Sequence, residues 1–260
     1  MPDRHSDREL EATLRAAGCV FAEDEARLLR AQARTPAELT LLVRRRVAGE
    51  PLEHVLGWAE FAGVRVAVEP GVFVPRHRSE FLVDEAAAAV PGARVVVDLC
   101  CGSGAIGAAL LRRLGAVELH AADVDTVAVR CARRTLGSRG EVHQGDLYAA
   151  LPAFLRGRVD LLVASTPYVP SDAVHLMPPE AREHEPLVAL DGGRDGLDVV
   201  RRLVADAPAW LAPAGVVAVE TSYEQAATAG AAMAAADLAA EVRMDDDGEC
   251  VAVLGRIVMS

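Results

Sequence analysis

The sequence predicts an α/β protein, a mostly parallel sheet covered on both faces by helices, preceded by a small helical region and a β-hairpin linker. Three observations predict it. From Ala93 onward, short apolar runs alternate with amphipathic stretches in a strand–loop–helix rhythm. A glycine-rich turn, Asp98-Leu-Cys-Cys-Gly-Ser-Gly104, follows the first of these runs. Acidic residues then close the next two runs, Asp123 and Asp146, where parallel sheets present ligand sites.

Residues 1–56 read as helical. Leu10, Leu14 and Ala17, then Ala26 and Leu29, mark one-sided apolar stripes. Thr35-Pro-Ala-Glu38 has the pattern of a helix start, with Thr as cap, Pro first and Glu three residues on. That helix should run through Leu39, Leu42, Val43 and Val47 and stop near Gly49. Its Arg44-Arg45-Arg46 run suits the negative end of the helix dipole and reads as a solvated helix end. Residues 57–75 read as the linker, with alternation from Phe61 to Val68 as a hairpin or edge strand. Residues 76–260 form the third region, which starts with a helix over Ser79–Ala89 capped by Ser79.

Within that region the strands are expected at Arg94–Leu99, Val117–Ala122, Glu141–His143, Val159–Ala164, Gly215–Glu220, Ala239–Met244 and Cys250–Ile257. The intervening helices are expected at Ala105–Leu114, Thr126–Leu136, Leu197–Leu211 and Tyr223–Ala235.

Composition narrows the function classes. A net charge of −11, with no lysine anywhere, disfavours a protein whose main partner is nucleic acid. No apolar run is long enough to span a membrane, and the charged N-terminus lacks a secretory signal, so a cytoplasmic location is expected. Cys19, Cys100, Cys101, Cys131 and Cys250 include no C-x-x-C pair, so neither a metal site nor a disulfide framework is expected. Cys19, Cys131 and Cys250 read as small buried apolar residues.

Four strand-end segments carry candidate chemistry. In the first, Asp98, Cys100, Cys101, Gly102, Ser103 and Gly104 form a turn whose glycines let the backbone approach a ligand, ahead of a helix N-terminus. In the second, Asp123, with Val124 beside it, is placed to accept the hydroxyls of a ribose, while Asp125 is its rival or a cap for the next helix. In the third, Asp146 is placed to take an adenine amino group, with Leu147 packing the ring. In the fourth, Ser165-Thr166-Pro167-Tyr168 punctuates the loop with proline and should leave carbonyl oxygens facing a substrate beside the flat Tyr168 ring.

Taken in order, these segments resemble class I methyltransferases, and in detail the HemK/PrmC family, which methylates the glutamine side-chain amide in peptide-chain release factors. Phe73-Val-Pro75-Arg76-His-Arg-Ser79-Glu80 resembles the family's "I-P-R-P-x-T-E" segment, and Ser165-Thr-Pro-Tyr168 stands in the place of its "N-P-P-Y". Glu185-Pro186, Gly192-Gly193, Asp195-Gly196-Leu197, Glu220 and Gln225 match later segments. The resemblance implies a Rossmann-like seven-stranded sheet with S-adenosylmethionine as cofactor. It places cofactor contacts at the first three segments, Ser165 and Arg76. It implies a helical region that docks a release factor or other glutamine-bearing protein.

The match departs where acceptor chemistry lies. Ser165 replaces the family's Asn, Thr166 its first Pro, and His77 and Arg78 a Pro and an acid. A serine hydroxyl is shorter than an amide and can donate as well as accept. Three readings stay open: amide methylation with Ser165 and the Thr166 carbonyl as acceptors, methylation of a small-molecule amine or hydroxyl, or cofactor binding with little catalysis. A DNA adenine methyltransferase is disfavoured by the charge, and a nicotinamide enzyme by the D-x-x-x-G-x-G order.

Overall fold

The computed structural model describes residues 7–258. The first six residues, which include most of the charged N-terminal stretch, lie outside the described residues. Helices α1 (Asp7–Ala16), α2 (Ala22–Gln32) and α3 (Pro36–Val47) turn their apolar stripes inward, and Leu10, Leu14, Ala26, Leu29, Leu39, Leu42 and Val43 share one small core. The α3 start is as expected, with the Thr35 side chain accepting the Glu38 N–H at 3.1 Å. The Glu38 carboxylate, however, reaches back to the N–H of Arg34, at 2.8 Å, and not to that of Thr35.

The arginine run departs from its reading as a solvated end. Only Arg44 is exposed. Arg45 forks onto Glu50 and reaches the His54 carbonyl at 3.1 Å. Arg46 bonds Glu25 at 2.6 Å and also Glu180, and the Arg46 and Glu25 side chains are only 11% and 10% exposed. The Arg46 partners, Glu25 and Glu180, come from segments distant in sequence, which local pattern does not reveal.

A short helix, α4 (Leu52–Leu56), ends on Gly57 at φ 81° and leads into the antiparallel hairpin of β1 (Trp58–Phe61) and β2 (Val64–Ala67). The hairpin thus starts before the alternation read from Phe61. Helix α5 spans Glu80–Ala89. Ser79 precedes it without capping it, because its hydroxyl donates instead to Glu220 Oε2 at 2.7 Å.

The main sheet comprises β3 (Val95–Leu99), β4 (Glu118–Asp123), β5 (Glu141–Gln144), β6 (Val159–Ala164), β7 (Leu211–Thr221), β8 (Leu238–Met244) and β9 (Val251–Ile257). Their spatial order is β5-β4-β3-β6-β7-β9-β8, and only β9 runs antiparallel to its neighbours. The connecting helices are α6 (Ala105–Leu114), α7 (Thr126–Leu136), α8 (Pro179–His184), α9 (Asp198–Asp206) and α10 (Tyr223–Ala235). The α9 helix is shorter than read. It gives way to a 3-10 turn at Ala207-Pro-Ala209, since Pro208 has no N–H to continue the ladder, and Leu211 already belongs to β7.

Side-chain alternation splits the core between the two sheet faces. Val96 packs with α5, α6 and the hairpin, while Val95, Val97 and Leu99 pack with α9 and α10. The sheet order reverses between β3 and β6, opening a crevice at their carboxyl ends. All five cysteines are free thiols; Cys19 and Cys131 are buried as read, and Cys250 is only half-buried. No helix among the described residues is long and apolar enough to cross a membrane.

Removing the arginine from a buried ion pair leaves its carboxylate uncompensated. Arg46→Ala is therefore expected to lower stability by about 3 kcal/mol in urea denaturation, and Arg44→Ala by less than about 0.5 kcal/mol. Equal effects from the two variants would refute the structural role given to Arg46.

Candidate active site

A cavity of about 330 Å³ opens at the carboxyl ends of β3, β4, β5 and β6. The loop after β3 forms one wall. Its backbone is left-handed at Cys100 (φ 55°), Gly102 (φ 53°) and Gly104 (φ 76°). Cys100 adopts without glycine's freedom a conformation that costs roughly 1–2 kcal/mol. Burial pushes the thiols of Cys100 and Cys101 well up, so they stay protonated and serve as wall rather than nucleophile.

Asp98 stands behind this wall. Its Oδ2 accepts the Gly107 N–H at 2.9 Å, tying the end of β3 to the first turn of α6, and its Oδ1 is buried without a partner. Burial pushes its carboxyl up to about 7, against the pull of the Gly107 N–H and with a further push from the Asp123 charge. Gly104 also faces away from the cavity, where a β-carbon would come within 3.2 Å of Ala132. Every other residue expected at the site lines the cavity: Arg76, Cys100, Cys101, Gly102, Ser103, Asp123, Val124, Asp146, Leu147, Ser165, Thr166, Pro167 and Tyr168.

At the end of β4, Asp123 accepts the Gly102 N–H at 2.8 Å through Oδ2 and the Asp125 N–H at 2.9 Å through Oδ1. Each oxygen keeps a second lone pair for a ligand hydroxyl. Burial raises its pKa, and the two backbone donors oppose that rise. Asp125 takes the capping role, accepting the Val127 N–H at 2.8 Å. After β5, Asp146 pairs at 2.5 Å with Arg202 of α9, both more than half exposed. Leu147, held at φ 48°, and Val124 give this end apolar walls.

The opposite end is polar. The hydroxyls of Ser165 and Ser79 donate to the same oxygen, Glu220 Oε2, at 2.9 and 2.7 Å. Arg78 lies 3.7 Å from the other oxygen and donates to the Tyr168 hydroxyl. The Tyr168 phenol is pushed up to about 12, by burial first and the Glu220 charge second, against Arg78 and Arg76, and so stays neutral. Arg76 donates through Nη2 to both carboxylate oxygens of buried Glu185, at 2.6 and 2.7 Å.

The carbonyls from Thr166 to Val169 fall into two groups. Tyr168's accepts from Gln225 Nε2 at 2.8 Å, and Val169's from the Gly192 N–H at 2.8 Å. Gly196 packs so closely here that a β-carbon would stand 2.2 Å from the Tyr168 oxygen. Among the described residues the carbonyls of Thr166 and Pro167 receive no donor, and the buried Thr166 hydroxyl has no partner. Three residues central to this wiring escaped sequence reading as site residues: Glu220, Arg78 and Arg202. Glu220 carried a usable signal, a carboxylate near the end of an apolar strand. Arg202 carried none beyond its place on a helix.

Residues 63–177 match the family model described as "Methyltransferase small domain". The chain is 45% identical over 189 residues to a release factor glutamine methyltransferase of Streptomyces coelicolor, an alignment covering 71% of this chain and 67% of that one. It is 37% identical over 194 residues to a 4-amino-L-phenylalanine/4-methylamino-L-phenylalanine methyltransferase of Streptomyces pristinaespiralis, covering 72% and 66%. In both cases the match spans about two thirds of the relative's length. A ribosomal protein L11 methylase from Lactobacillus delbrueckii shares the fold at TM-score 0.53 and 17% identity, covering 74% of this chain and 86% of that one.

The raised carboxyl of Asp98 has a definite sign. The folded state holds its proton up to about pH 7, whereas the unfolded chain releases it near 3.8, so this contribution to stability is present at low pH and lost as pH rises through that window. Asp98→Asn should therefore gain stability relative to the parent between pH 4 and pH 7.5, measured as the difference in urea midpoints. A difference that stays flat with pH would contradict the assignment.

Proposed function

The chain belongs to the family of release factor glutamine methyltransferases, and from that premise we propose that it transfers a methyl group from S-adenosylmethionine to the side-chain amide nitrogen of a glutamine in a peptide-chain release factor. The cofactor supplies an electrophilic methyl group on a positively charged sulfur. Asp123 is suited to the ribose hydroxyls, and Val124, Leu147 and Asp146 to the adenine. The left-handed turn at Cys100–Gly104 brings backbone to the same wall without side chains in the way.

The observation that carries the acceptor reading is the Ser165–Glu220 hydrogen bond. A glutamine amide is a weak nucleophile, because its nitrogen lone pair is delocalised, so its orientation must be imposed by acceptors for its two N–H bonds. Ser165 commits its only proton to Glu220, so toward a substrate its oxygen can only accept. The free carbonyl of Thr166 is the second acceptor. Together they supply the two acceptors that an Asn-Pro pair would have presented. Tyr168, neutral and held by Arg78, forms a flat wall beside them. The proton lost after methyl transfer needs no strong base, because the methylated amide sheds it readily to water.

A second reading has its own support. Arg78 stands at the acceptor end with half its side chain exposed, and a guanidinium there suits the carboxylate of a free amino acid that carries an amine acceptor. The Streptomyces pristinaespiralis relative is named for such substrates. Incubation with cofactor and either a Gly-Gly-Gln-containing release factor or a panel of amino-acid amines separates the two readings by mass spectrometry. One methyl on the release-factor glutamine supports the first. Turnover confined to the amines supports the second.

Asp123→Ala should weaken S-adenosylmethionine at least tenfold in titration calorimetry. Ser165→Ala should leave that affinity within twofold while lowering methyl transfer by ~100-fold, as loss of one oriented group in a preorganised site does. Ser165→Asn should retain or raise release-factor methylation, since its NH₂ can still donate to Glu220 while its oxygen accepts. Loss of cofactor binding in Ser165→Ala would move Ser165 out of the acceptor role.

A further inference from the structure

Four side chains that methyl transfer does not use meet on the outer strands of the sheet. In β4, Glu118 and His120 are two residues apart, and in β5 so are Glu141 and His143. His120 is in register with Glu141, and Ala122 with His143, so the period of two along each strand puts all four on one face. They run from the start of β4 to the level of Ala122, one residue short of Asp123.

We propose that His120, His143 and Glu141 form a binding site for a divalent transition metal of the zinc class. The ligand atoms of the three residues lie within 4.8 Å of one another. His120 Nδ1 and His143 Nε2 are 3.1 Å apart. That is close to the spacing of about 3.3 Å between two nitrogens on a tetrahedral zinc with bonds near 2.05 Å. Glu141 Oε2 stands 3.7 Å from the first nitrogen and 4.0 Å from the second, and its side chain is 71% exposed, so a small rotation closes both distances.

A separate observation points the same way. His120 Nε2 is 3.1 Å from Glu118 Oε1, while the ring itself is almost wholly buried. A carboxylate accepting the Nε2 proton leaves Nδ1 unprotonated and aimed at His143 and Glu141, the outer-shell arrangement that metal-bound histidines use. Phe154 packs its ring against His120 at 5.9 Å and limits rotation of the imidazole. Two imidazoles and one carboxylate select zinc, cobalt or nickel over magnesium and calcium, which prefer all-oxygen sites. A fourth ligand would be a water reaching the ion from the side of exposed Glu141. Bound metal would clamp β5 to β4, and β5 leads directly into Gly145-Asp146 at the cofactor end of the cavity.

The test uses tag-free full-length protein titrated with Zn²⁺ and, separately, with Co²⁺, whose visible absorption reports a four-coordinate site. One equivalent should bind, with intense Co²⁺ bands and a higher Tm, and Mg²⁺ should bring about neither. His143→Gln, at a half-buried position, should weaken Zn²⁺ at least tenfold without changing the fold by circular dichroism. Glu141→Gln should do likewise, and Glu118→Gln should weaken it ~10-fold through the outer shell. A double Cys100→Ser, Cys101→Ser variant should bind as the parent does. The proposal is overturned if Zn²⁺ does not bind stoichiometrically, if it binds His143→Gln as tightly as the parent, or if it is lost in the cysteine variant. None of these readouts depends on methyl-acceptor identity.

Discussion

The site depends on a reversal in strand order. The connection out of β3 runs through α6 to β4 on one side, whereas β6 lies on its other side. Loops leaving β3 and β6 therefore diverge, and the crevice between them cannot be filled by either helix layer. Asp123, Asp146 and Ser165 line that gap from three strand ends, while Asp98 stands behind its wall. The hydrogen bond from the Gly107 N–H to Asp98 keeps the crevice open in a defined shape, since it pins the start of α6 against the end of β3. The link from the Gly102 N–H to Asp123 then fixes the turn to the neighbouring strand. The burial of Asp98 behind the turn is consistent with this positional role.

At the acceptor end a single carboxylate organises four groups. Glu220 takes both serine hydroxyls on one oxygen and faces the Arg78 guanidinium with the other. Arg78 passes the constraint on to the Tyr168 hydroxyl, and Gln225 holds the Tyr168 backbone from behind. The residues belong to three separated segments, so their mutual order comes from the sheet rather than from any local motif. Positive and negative charges within the cluster offset one another, which lets it sit at the edge of an apolar cavity without an isolated buried ion.

Much of this was legible in the sequence because it is local. The strands Val159–Ala164 and Val95–Leu99 are short buried apolar runs, and helices α6, α7 and α10 carry amphipathic or small-residue patterns with clear ends. The strand-end acids were legible because position along a strand fixes which end of the sheet a residue reaches. Pairings across long sequence distance were not. Arg46 reads as one of three like arginines, yet it is singled out by Glu25 and Glu180. Ser79 reads as a helix cap, yet Glu220, 141 residues away, claims its hydroxyl. His120 and His143 share no short spacing and become neighbours only through the β4–β5 register.

The same distinction bears on the acceptor role proposed for Ser165, which stands where the resembled family carries asparagine. An Asn side chain carries its own acceptor, oriented by the plane of its amide. Serine brings a rotatable hydroxyl, and its acceptor character has to be imposed from outside. Glu220 imposes it by accepting the Ser165 hydroxyl's hydrogen bond, and Ser79 donates to the same oxygen, so the carboxylate is held in place before any substrate arrives. Preorganisation of this kind places the cost of orientation in folding rather than in the reaction. Ser165 and Ser79 are therefore tied to one oxygen of Glu220, and under the proposed acceptor role the element that would stand in for Asn includes a neighbour outside the local motif.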